Sequence, residues 1–254
     1  KNWEHTTIAA DSFNTGKPEV MIGGWGQTTT IYRHRGNFDF REQTSILGLP
    51  DHIFINDIAT ADINNDGYLD IFLTDERLTN RLLLNDKKGS FIEVTESAGL
   101  TSFSTSRGCA FIDADNDNDL DLYVANWSSP DIFYRNNGNS TFTPQRLPLP
   151  LFSDSLLSTG VSSADIDNDG DFDLIVTTWD HNYLLVNETR SGDTSWSFSP
   201  GNVPRLTTDK HPSTGSLFGD YNNDGFPDLF ITNKGTNELY INTPGTGFSR
   251  IYPS

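Results

Sequence analysis

Apolar residues along the chain fall in short runs, and clusters of Gly, Asn, Asp and Ser separate one run from the next. Runs such as IFLTDE, LYVANW and LIVTTW are rich in β-branched and aromatic residues, which favour strands. Almost no stretch repeats apolar residues at helical spacing over about 11 residues or more. The pattern therefore predicts an all-β chain of many short strands.

A strongly acidic nine-residue stretch recurs within this pattern. It reads DINNDGYLD at 62–70, DADNDNDLD at 113–121, DIDNDGDFD at 165–173 and DYNNDGFPD at 220–228, so the copies begin 51, 52 and 55 residues apart. Stepping 51 residues back from the first of them reaches DSFNTGKPE at 11–19. This stretch keeps the first acid, the sixth-position Gly and a ninth-position acid, and we interpret it as a fifth, degenerate copy.

The repeat extends beyond the acidic stretch. In each copy one short apolar run precedes the stretch and three follow it, which makes four segments in a unit of about 50 residues. Five such units predict an all-β β-propeller of five four-stranded blades, with the acidic loops between the first and second strands. The alternative is a stack of separate hairpins or an open array, which would leave strand edges exposed. The predicted single domain covers 1–254, with blades at about 2–49, 50–100, 101–150, 151–204 and 205–254.

The spacing of oxygen-bearing side chains in the acidic stretch is typical of a loop that wraps a cation. Positions 1, 3, 5 and 9 are Asp or Asn in the four well-preserved copies, and position 6 is Gly in three of them and Asn118 in the other. Alternate side chains converge when such a loop curls, and position 6 needs a positive φ, which Gly and Asn tolerate best. Position 7 varies, so we expect it to offer its backbone carbonyl.

Calcium is the cation that this set of ligands favours. All candidate ligands are oxygens, which argues against zinc, copper and iron, and four side chains with one carbonyl form a more complete cage than magnesium usually takes. The loop is not an EF-hand, because its twelfth position is apolar (Leu73, Val124, Val176 and Ile231) and lies in a predicted strand. Extracellular calcium modules of other types bind at about 10⁻⁴–10⁻³ M, so such sites fill outside cells.

The charge balance agrees with cation binding and narrows the choice of partners. The chain has 35 acidic and 17 basic residues, a formal net charge of −18, and the four acidic loops hold 3, 5, 5 and 3 of the acids. We predict that the calcium-free protein is much less stable, since a cation that binds only the folded state stabilises it. Nucleic acid and anionic membrane surfaces are poor partners for this charge. No apolar run is long enough to cross a bilayer, so no membrane insertion is expected.

Other sequence features bear on secretion. Three sequons for N-glycosylation, at Asn126, Asn139 and Asn187, fit a secreted protein. The chain starts at Lys1 without an apolar leader, so we expect any signal peptide to have been removed. The single cysteine, Cys109, forms no intrachain disulfide, and its apolar first segment favours a buried, inert thiol.

At this point the repeat resembles a known family. The stretches FIDADNDNDLDLYVANWSSPDIFYRNNGNSTFT and NRLLLNDKKGSFIEVTESAGL resemble the FG-GAP/VCBS repeats, a family that includes the propeller of integrin α subunits and the cartilage acidic protein-like secreted proteins. The resemblance covers essentially the whole chain and implies calcium in the loops on one face of the propeller. Members such as the integrin propeller have seven blades, so this chain either closes at five or is part of a larger propeller.

The resemblance also implies which residues bind the metal. The first repeat departs from the motif at Phe13 and Thr15, so we expect no calcium there and four sites in all. The implied side-chain ligands are Asp62, Asn64, Asp66 and Asp70; Asp113, Asp115, Asp117 and Asp121; Asp165, Asp167, Asp169 and Asp173; and Asp220, Asn222, Asp224 and Asp228. The expected carbonyl ligands are those of Tyr68, Asp119, Asp171 and Phe226.

One further repeat position is a candidate binding surface. Six residues after the ninth loop position stand Trp25, Glu76, Trp127, Trp179 and Lys234. This position lies at the predicted turn between the second and third strands, on the face opposite the calcium loops. The three Trp side chains could stack on sugar rings or anchor a protein partner. Alternatively, each Trp packs between neighbouring blades.

These observations favour a non-enzymatic function. The five histidines, His5, His34, His52, His181 and His211, occupy unrelated repeat positions and show no nucleophile–base spacing. We expect an extracellular or cell-surface calcium-binding propeller that serves in adhesion, recognition or structural assembly, with a protein, a glycan or copies of itself as partner. A lectin that uses the Trp rim is the alternative, and a glycosidase-like propeller with two carboxylates in a central cleft is a more remote one.

Overall fold

The structure is a computed structural model. It describes residues 3–27, 29–49, 53–77, 79–145, 157–190, 196–201, 203, 206–208, 210 and 212–251, with the side chains of 3–5 and 27 left aside. The predicted boundary near 150 between the third and fourth repeats lies outside the described residues, as do His52 and His211 and the side chain of His5.

The described residues form twenty strands, four in each sequence repeat. The first repeat holds β1 (Trp3–Ala10), β2 (Glu19–Gln27), β3 (Thr30–Gly36) and β4 (Asp39–Glu42); the second holds β5 (Ile53–Ala61), β6 (Asp70–Asp75), β7 (Arg81–Asn85) and β8 (Phe91–Glu93). The third holds β9 (Ser106–Ile112), β10 (Asp121–Asn126), β11 (Ile132–Asn136) and β12 (Phe142–Gln145). The fourth holds β13 (Ser158–Ala164), β14 (Asp173–Thr178), β15 (Tyr183–Asn187) and β16 (Phe198–Gly201). The fifth holds β17 (Ser213–Gly219), β18 (Asp228–Asn233), β19 (Glu238–Thr243) and β20 (Gly247–Ile251).

The sheets confirm the all-β prediction and refine it. Strands within each repeat pair in chain order, and the third, fourth and fifth repeats each form a four-stranded sheet. The first two repeats share one eight-stranded sheet, because β2 also pairs with β5 at Trp25↔Phe54 and Gln27↔Ile53. The helical element among the described residues is a short 3₁₀ helix, Thr44–Leu47, and none of these residues forms a helix that could cross a bilayer.

Contacts divide the chain into two compact units, each with its own core. One unit comprises 1–111, 119–122 and 134–144, and the other 112–118, 123–133 and 145–254. The middle repeats bury both faces of their second strand, since all six residues of β6, β10 and β14 are buried. Continuous apolar runs such as LYVA in β10 are the sequence correlate of this two-sided burial.

A recurrent side chain closes the turn between the second and third strands. The Asn182 Oδ1 accepts a hydrogen bond from the Thr178 backbone N–H at 3.0 Å, while its amide group donates to the Ser213 Oγ of the next repeat at 2.9 Å. Asn80 makes the equivalent pair of bonds two repeats earlier, with the Asp75 N–H and the Ser106 Oγ. The side chain therefore ties each turn to the first strand of the following repeat.

The third repeat replaces this asparagine by Asp131, which is buried. Its carboxylate accepts from the Asn126 N–H at 2.7 Å, the Tyr123 hydroxyl at 2.7 Å and the Ser158 hydroxyl at 2.8 Å. Burial raises the pKa of Asp131 from 3.8 to about 6, because the three hydrogen bonds only partly offset the loss of solvation.

Cys109 is buried, as its apolar first segment predicts. Its N–H donates to the Asp57 carboxylate at 3.1 Å, and its thiol lies 3.9 Å from the same oxygen. Burial and this neighbouring charge raise the pKa of the Cys109 thiol well above its ordinary value, which leaves it protonated and unreactive.

Candidate metal centre

The acidic stretches lie where the sequence places them, between the first and second strands of each repeat. The first strand ends just before position 1, and the position 9 acid opens the second strand in every copy, as at Asp173 in β14. Each loop therefore has both ends anchored in one antiparallel strand pair. This anchoring holds the intervening carboxylates close together.

The position 1 carboxylate organises the curl of each loop. In the fourth repeat, Asp165 accepts hydrogen bonds from the Asp169 N–H and the Gly170 N–H, each at 3.1 Å. The corresponding acids of the other four copies make the same two bonds to positions 5 and 6; these acids are Asp11, Asp62, Asp113 and Asp220. The loop geometry is thus shared by all five copies, the degenerate one included.

Position 6 has the left-handed conformation that the sequence predicts. Its φ is +87° at Gly67 and +100° at Gly170, and Asn118 reaches +68° in the glycine's place. The residue at position 4 also has a positive φ in all five copies, which was not predicted from the sequence. The signal was present, because position 4 is Asn in every copy: Asn14, Asn65, Asn116, Asn168 and Asn223.

The loops of the third and fourth repeats bring carboxylate oxygens together. One oxygen each from Asp113, Asp115 and Asp117 lie within 4.8 Å of one another. Asp165, Asp167 and Asp173 form a second group within the same distance. In the second and fifth loops Asn64 and Asn222 replace the position 3 acid, which keeps an oxygen donor but removes one charge. Clustered oxygen donors of this kind suit a hard divalent cation such as calcium.

The position 9 carboxylate also has a structural role. In the fourth repeat, Asp173 accepts from the Ile166 N–H at 3.0 Å and from the Asn187 N–H at 2.7 Å. Asp70 and Asp228 do the same in their own repeats. Burial, together with neighbouring loop acids, raises the pKa of Asp173 to about 7 and that of Asp70 to about 6. A cation beside these carboxylates would favour their charged form.

The first loop has internal substitutes for a metal. The Thr15 hydroxyl lies 3.4 Å from an Asp11 carboxylate oxygen and 3.2 Å from the Lys17 carbonyl, which are the position 1 and position 7 oxygens. Phe13 replaces the position 3 ligand and packs edge-on against Phe91 at 5.9 Å between ring centres. In this loop the Thr15 hydroxyl therefore lies between the Asp11 and Lys17 oxygens that a cation would otherwise bridge.

The second loop has a competing cation of its own. The Lys87 ammonium lies 3.2 Å from an Asp66 carboxylate oxygen, and Lys87 comes from the turn between β7 and β8 of the same repeat. The third repeat has Gly138 at the equivalent position, two residues after the last residue of the third strand. The Lys87 ammonium therefore neutralises part of the negative charge that the second loop offers to a metal.

Asparagine side chains link successive loops, which the sequence reasoning did not foresee. The position 4 amide of Asn116 donates to the Asp171 carboxylate of the next loop at 2.8 Å, and Asn65 donates to Asp119 at 2.8 Å. The position 7 acids Asp119 and Asp171 therefore use their side chains between loops. That position 7 offers its backbone carbonyl to a metal stays a prediction.

A second set of asparagines reaches back along the chain. Each lies at the last or next-to-last position of the third strand of its repeat and donates to the position 2 carbonyl of the preceding loop, as Asn242 does to Ile166 at 2.6 Å. Equivalent bonds come from Asn85, Asn136 and Asn187. Sequence alone could have flagged these residues, because Asn recurs there in four of five repeats, whereas their partners lie about 75 residues away.

The three Trp side chains of the predicted rim are half-buried, and each contacts a side chain of a neighbouring repeat. The Trp179 ring meets Trp127 edge-on at 5.4 Å between centres, and the Lys234 ammonium lies 4.3 Å above it. The Trp25 indole N–H donates to the Asn56 side chain at 2.8 Å, and Asn56 in turn donates to Glu76 at 2.7 Å. The rim residues thus contact neighbouring repeats, as the packing alternative requires.

The three sequons differ in exposure, and the structure does not favour all of them. Asn126 and Asn187 are at most 1% exposed, and their amide groups donate to the carbonyls of Pro130 and Ala114. A glycan on either would have to break that bond and leave the interior. The sequence-based expectation therefore needs correction at these two positions, and Asn139, which is exposed, is the sequon compatible with the folded chain.

Comparison with known proteins places this chain in a family. Residues 11–73, 62–124 and 113–176 match the FG-GAP-like repeat, and together they span about two thirds of the chain. The protein therefore belongs to the FG-GAP-like repeat family, which confirms the resemblance seen in the sequence. The loop at 220–228 lies outside these matches and has the same geometry.

Curated proteins named cartilage acidic protein 1 are similar to this chain. Cartilage acidic protein 1 of Xenopus tropicalis is 26% identical over 204 residues, which cover 73% of this chain and 30% of the relative. The human protein of that name is 24% identical over 245 residues, which cover 89% of this chain and 35% of the relative. The chain thus spans about a third of the length of the curated relatives it matches.

Solved structures support the β-propeller-like fold. An Agrocybe aegerita lectin, whose structure describes recognition of non-reducing terminal N-acetylglucosamine, aligns with a TM-score of 0.61 at 19% identity over 97% of this chain and 64% of its own. The biofilm matrix protein Bap1 of V. cholerae aligns at 0.50 and 13% identity over 99% of this chain and 40% of its own. At these identities the likeness concerns the fold alone.

Proposed function

We propose that this protein is a calcium-binding FG-GAP-like propeller module of the extracellular space that acts by recognition or assembly. The observation that carries the proposal is the convergence of carboxylate oxygens within 4.8 Å in two loops whose backbone curl recurs in every repeat. Like charges this close repel one another unless a cation lies among them. Four calcium ions would change the formal charge from −18 to about −10.

Thermal melts in chelator and in millimolar calcium test the metal. A single site at a free calcium concentration 100 times its Kd adds about 2.7 kcal/mol to the free energy of unfolding. We therefore expect a clear rise of the melting midpoint with calcium, and an unchanged midpoint would contradict the proposal. Isothermal titration should count four ions per chain, because the first loop is joined by the Thr15 hydroxyl.

A matched pair of variants locates the effect. Asp167→Ala removes one member of the fourth-repeat cluster, whereas Asp39→Ala removes an exposed acid in β4. We expect the first variant to lose one bound ion and part of the calcium-dependent stabilisation. The second should titrate like the wild type. Equal losses in both would show that bulk charge, and not the loop, attracts calcium.

A non-catalytic role is the reading that the described residues support. His34 stacks on Phe40 at 4.7 Å between ring centres, and His181 lies 3.6 Å from Asp180, so these two histidines belong to different repeats and have different neighbours. The buried Cys109 is equally unsuited to nucleophilic chemistry. Hydrolysis of a panel of chromogenic glycosides by the calcium-loaded protein would overturn this part of the proposal.

Glycan recognition is the second candidate function. The Agrocybe aegerita lectin shares the fold, and Trp127 and Trp179 keep part of their rings at the surface. The Lys234 ammonium covers one face of Trp179, which leaves Trp127 as the better stacking platform. A glycan array with wild type and Trp127→Ala tests this: binding lost with an unchanged melt supports a lectin, and no binding by the wild type contradicts it.

A further inference from the structure

A cavity of about 460 Å³ lies between the fourth and fifth repeats. Its lining includes Leu184 and Val186 from β15, Phe248 from β20, and Ile166 and Asp167 from the fourth acidic loop. All of these residues belong to the same compact unit. Cavities that bind small molecules commonly measure about 300–1,000 Å³, so this one is large enough for a ligand.

The lining of this cavity is mainly apolar. Among its polar groups, the Asn242 amide donates to the Ile166 carbonyl at 2.6 Å, and the Thr243 carbonyl accepts from the Thr246 N–H at 3.0 Å. Asp167 is the charged residue among the described residues of the lining. A molecule in the cavity therefore contacts mostly carbon atoms, and a ligand rich in hydrogen-bonding groups would leave many of them without partners.

The first two repeats show which group occupies the corresponding place. Phe13 stands at position 3 of the first loop, as Asp167 does in the fourth. Phe91 corresponds to Phe248, because each pairs with the asparagine at the same position of its third strand. The Phe13 ring meets Phe91 edge-on at 5.9 Å between centres, and Phe91 is 7% exposed, whereas Phe248 is half-buried. A phenyl ring of the chain itself therefore covers Phe91.

An arginine covers the Phe13 ring in the first repeat. Arg33 corresponds to Val186, because each lies two residues after the third-strand residue that pairs with the third residue of the second strand. The Arg33 guanidinium lies 4.5 Å from the centre of the Phe13 ring. In the fourth repeat the shorter Val186 and the acid Asp167 replace this arginine and this ring. The two replacements account for the space between the fourth and fifth repeats.

We propose that this cavity binds an uncharged aromatic molecule, whose ring takes the place that the Phe13 ring takes between the first two repeats. Cavities lined by apolar side chains bind small aromatic molecules, because such a ligand restores the contacts that the space lacks. The other acids of the fourth loop, Asp165, Asp169 and Asp171, are close to Asp167 in the chain and disfavour an anionic ligand. The inference adds a ligand site to the module and does not depend on the calcium proposal.

Fluorescence titration with N-phenyl-1-naphthylamine, an uncharged aromatic probe, in saturating calcium tests the site. The wild type should bind the probe saturably. Asp167→Phe places a ring where the first loop has Phe13, so binding should weaken about tenfold or more. Asp167→Ala is the matched control, because it loses the same carboxylate without filling the cavity, and its affinity should stay within about twofold of the wild type. Val186→Phe narrows the cavity and keeps every loop acid, so it should weaken binding as Asp167→Phe does.

Several outcomes would overturn the proposal. They are a wild type without saturable binding, equal affinities of Asp167→Phe and Asp167→Ala, and, if Asp167→Phe does not fold, an unchanged affinity in Val186→Phe. The 8-sulfonate of the same probe should bind several-fold more weakly, and tighter binding of this anion would contradict an uncharged ligand. Calcium titration should give the same ion count for both Asp167 variants, since both lack the same carboxylate, so failure of the aromatic site leaves the metal proposal intact.

Discussion

Replacement of Asp131 by Asn isolates one buried charge. The equivalent residues Asn80 and Asn182 accept a backbone N–H and donate to a serine hydroxyl, so an amide at position 131 finds partners for both functions. The carboxylate of Asp131 is instead 1% exposed and accepts three hydrogen bonds. The substitution keeps the shape of the side chain and removes the cost of burying its charge.

The magnitude follows from the pKa. The folded pKa of about 6 exceeds the reference value of 3.8, so the folded state binds the proton more tightly than the unfolded state. Stability from this residue is therefore present at low pH and is lost as pH rises from about 4 to about 6. A shift of about two pKa units corresponds to roughly 3 kcal/mol.

Denaturant unfolding of both proteins at several pH values, in constant calcium, measures the difference. We expect Asp131→Asn to match the wild type near pH 4 and to exceed it by up to roughly 3 kcal/mol at pH 8. The reciprocal variant Asn182→Asp should add a second buried acid and therefore lose stability relative to the wild type as pH rises. A difference that does not change between pH 4 and pH 8, or a variant less stable at pH 8, would refute the reasoning.

Two other perturbations address the acidic loops. Lys87→Gln removes the ammonium that lies 3.2 Å from Asp66, so we expect calcium to bind the second loop several-fold more tightly, as measured by terbium-luminescence competition. Lys88→Gln, which changes an exposed neighbour, is the control. An unchanged calcium affinity in Lys87→Gln would show that Lys87 does not compete with the metal. Asp228→Asn places an amide against two backbone N–H donors, the Tyr221 N–H at 2.9 Å and the Asn242 N–H at 2.8 Å. In chelator, where no metal contributes, the substitution should lower the free energy of unfolding by about 1–3 kcal/mol. An unchanged free energy of unfolding would show that these bonds do not stabilise the fold.

Much of the fold and of the loop geometry could be predicted from local patterns in the sequence. The acidic register, the four segments of each repeat and the left-handed sixth position, including Asn118, depend on residues within about ten positions of one another. Strand alternation and loop curl are local properties, so the repeat could be read directly. The degenerate first loop was also recognisable, because Phe13 and Thr15 stand where oxygen ligands recur elsewhere.

Other features depended on tertiary packing. The asparagine bonds between loops join residues more than 50 positions apart, the pairing of β2 with β5 merges two predicted sheets, and Asn126 and Asn187 are buried although their sequons resemble that of Asn139. Phe230 is 38% exposed, although Phe72 and Tyr123, at the same position of their own second strands, are buried. A residue's pattern indicates which face of a strand it occupies, but only the neighbouring repeat decides whether that face is covered.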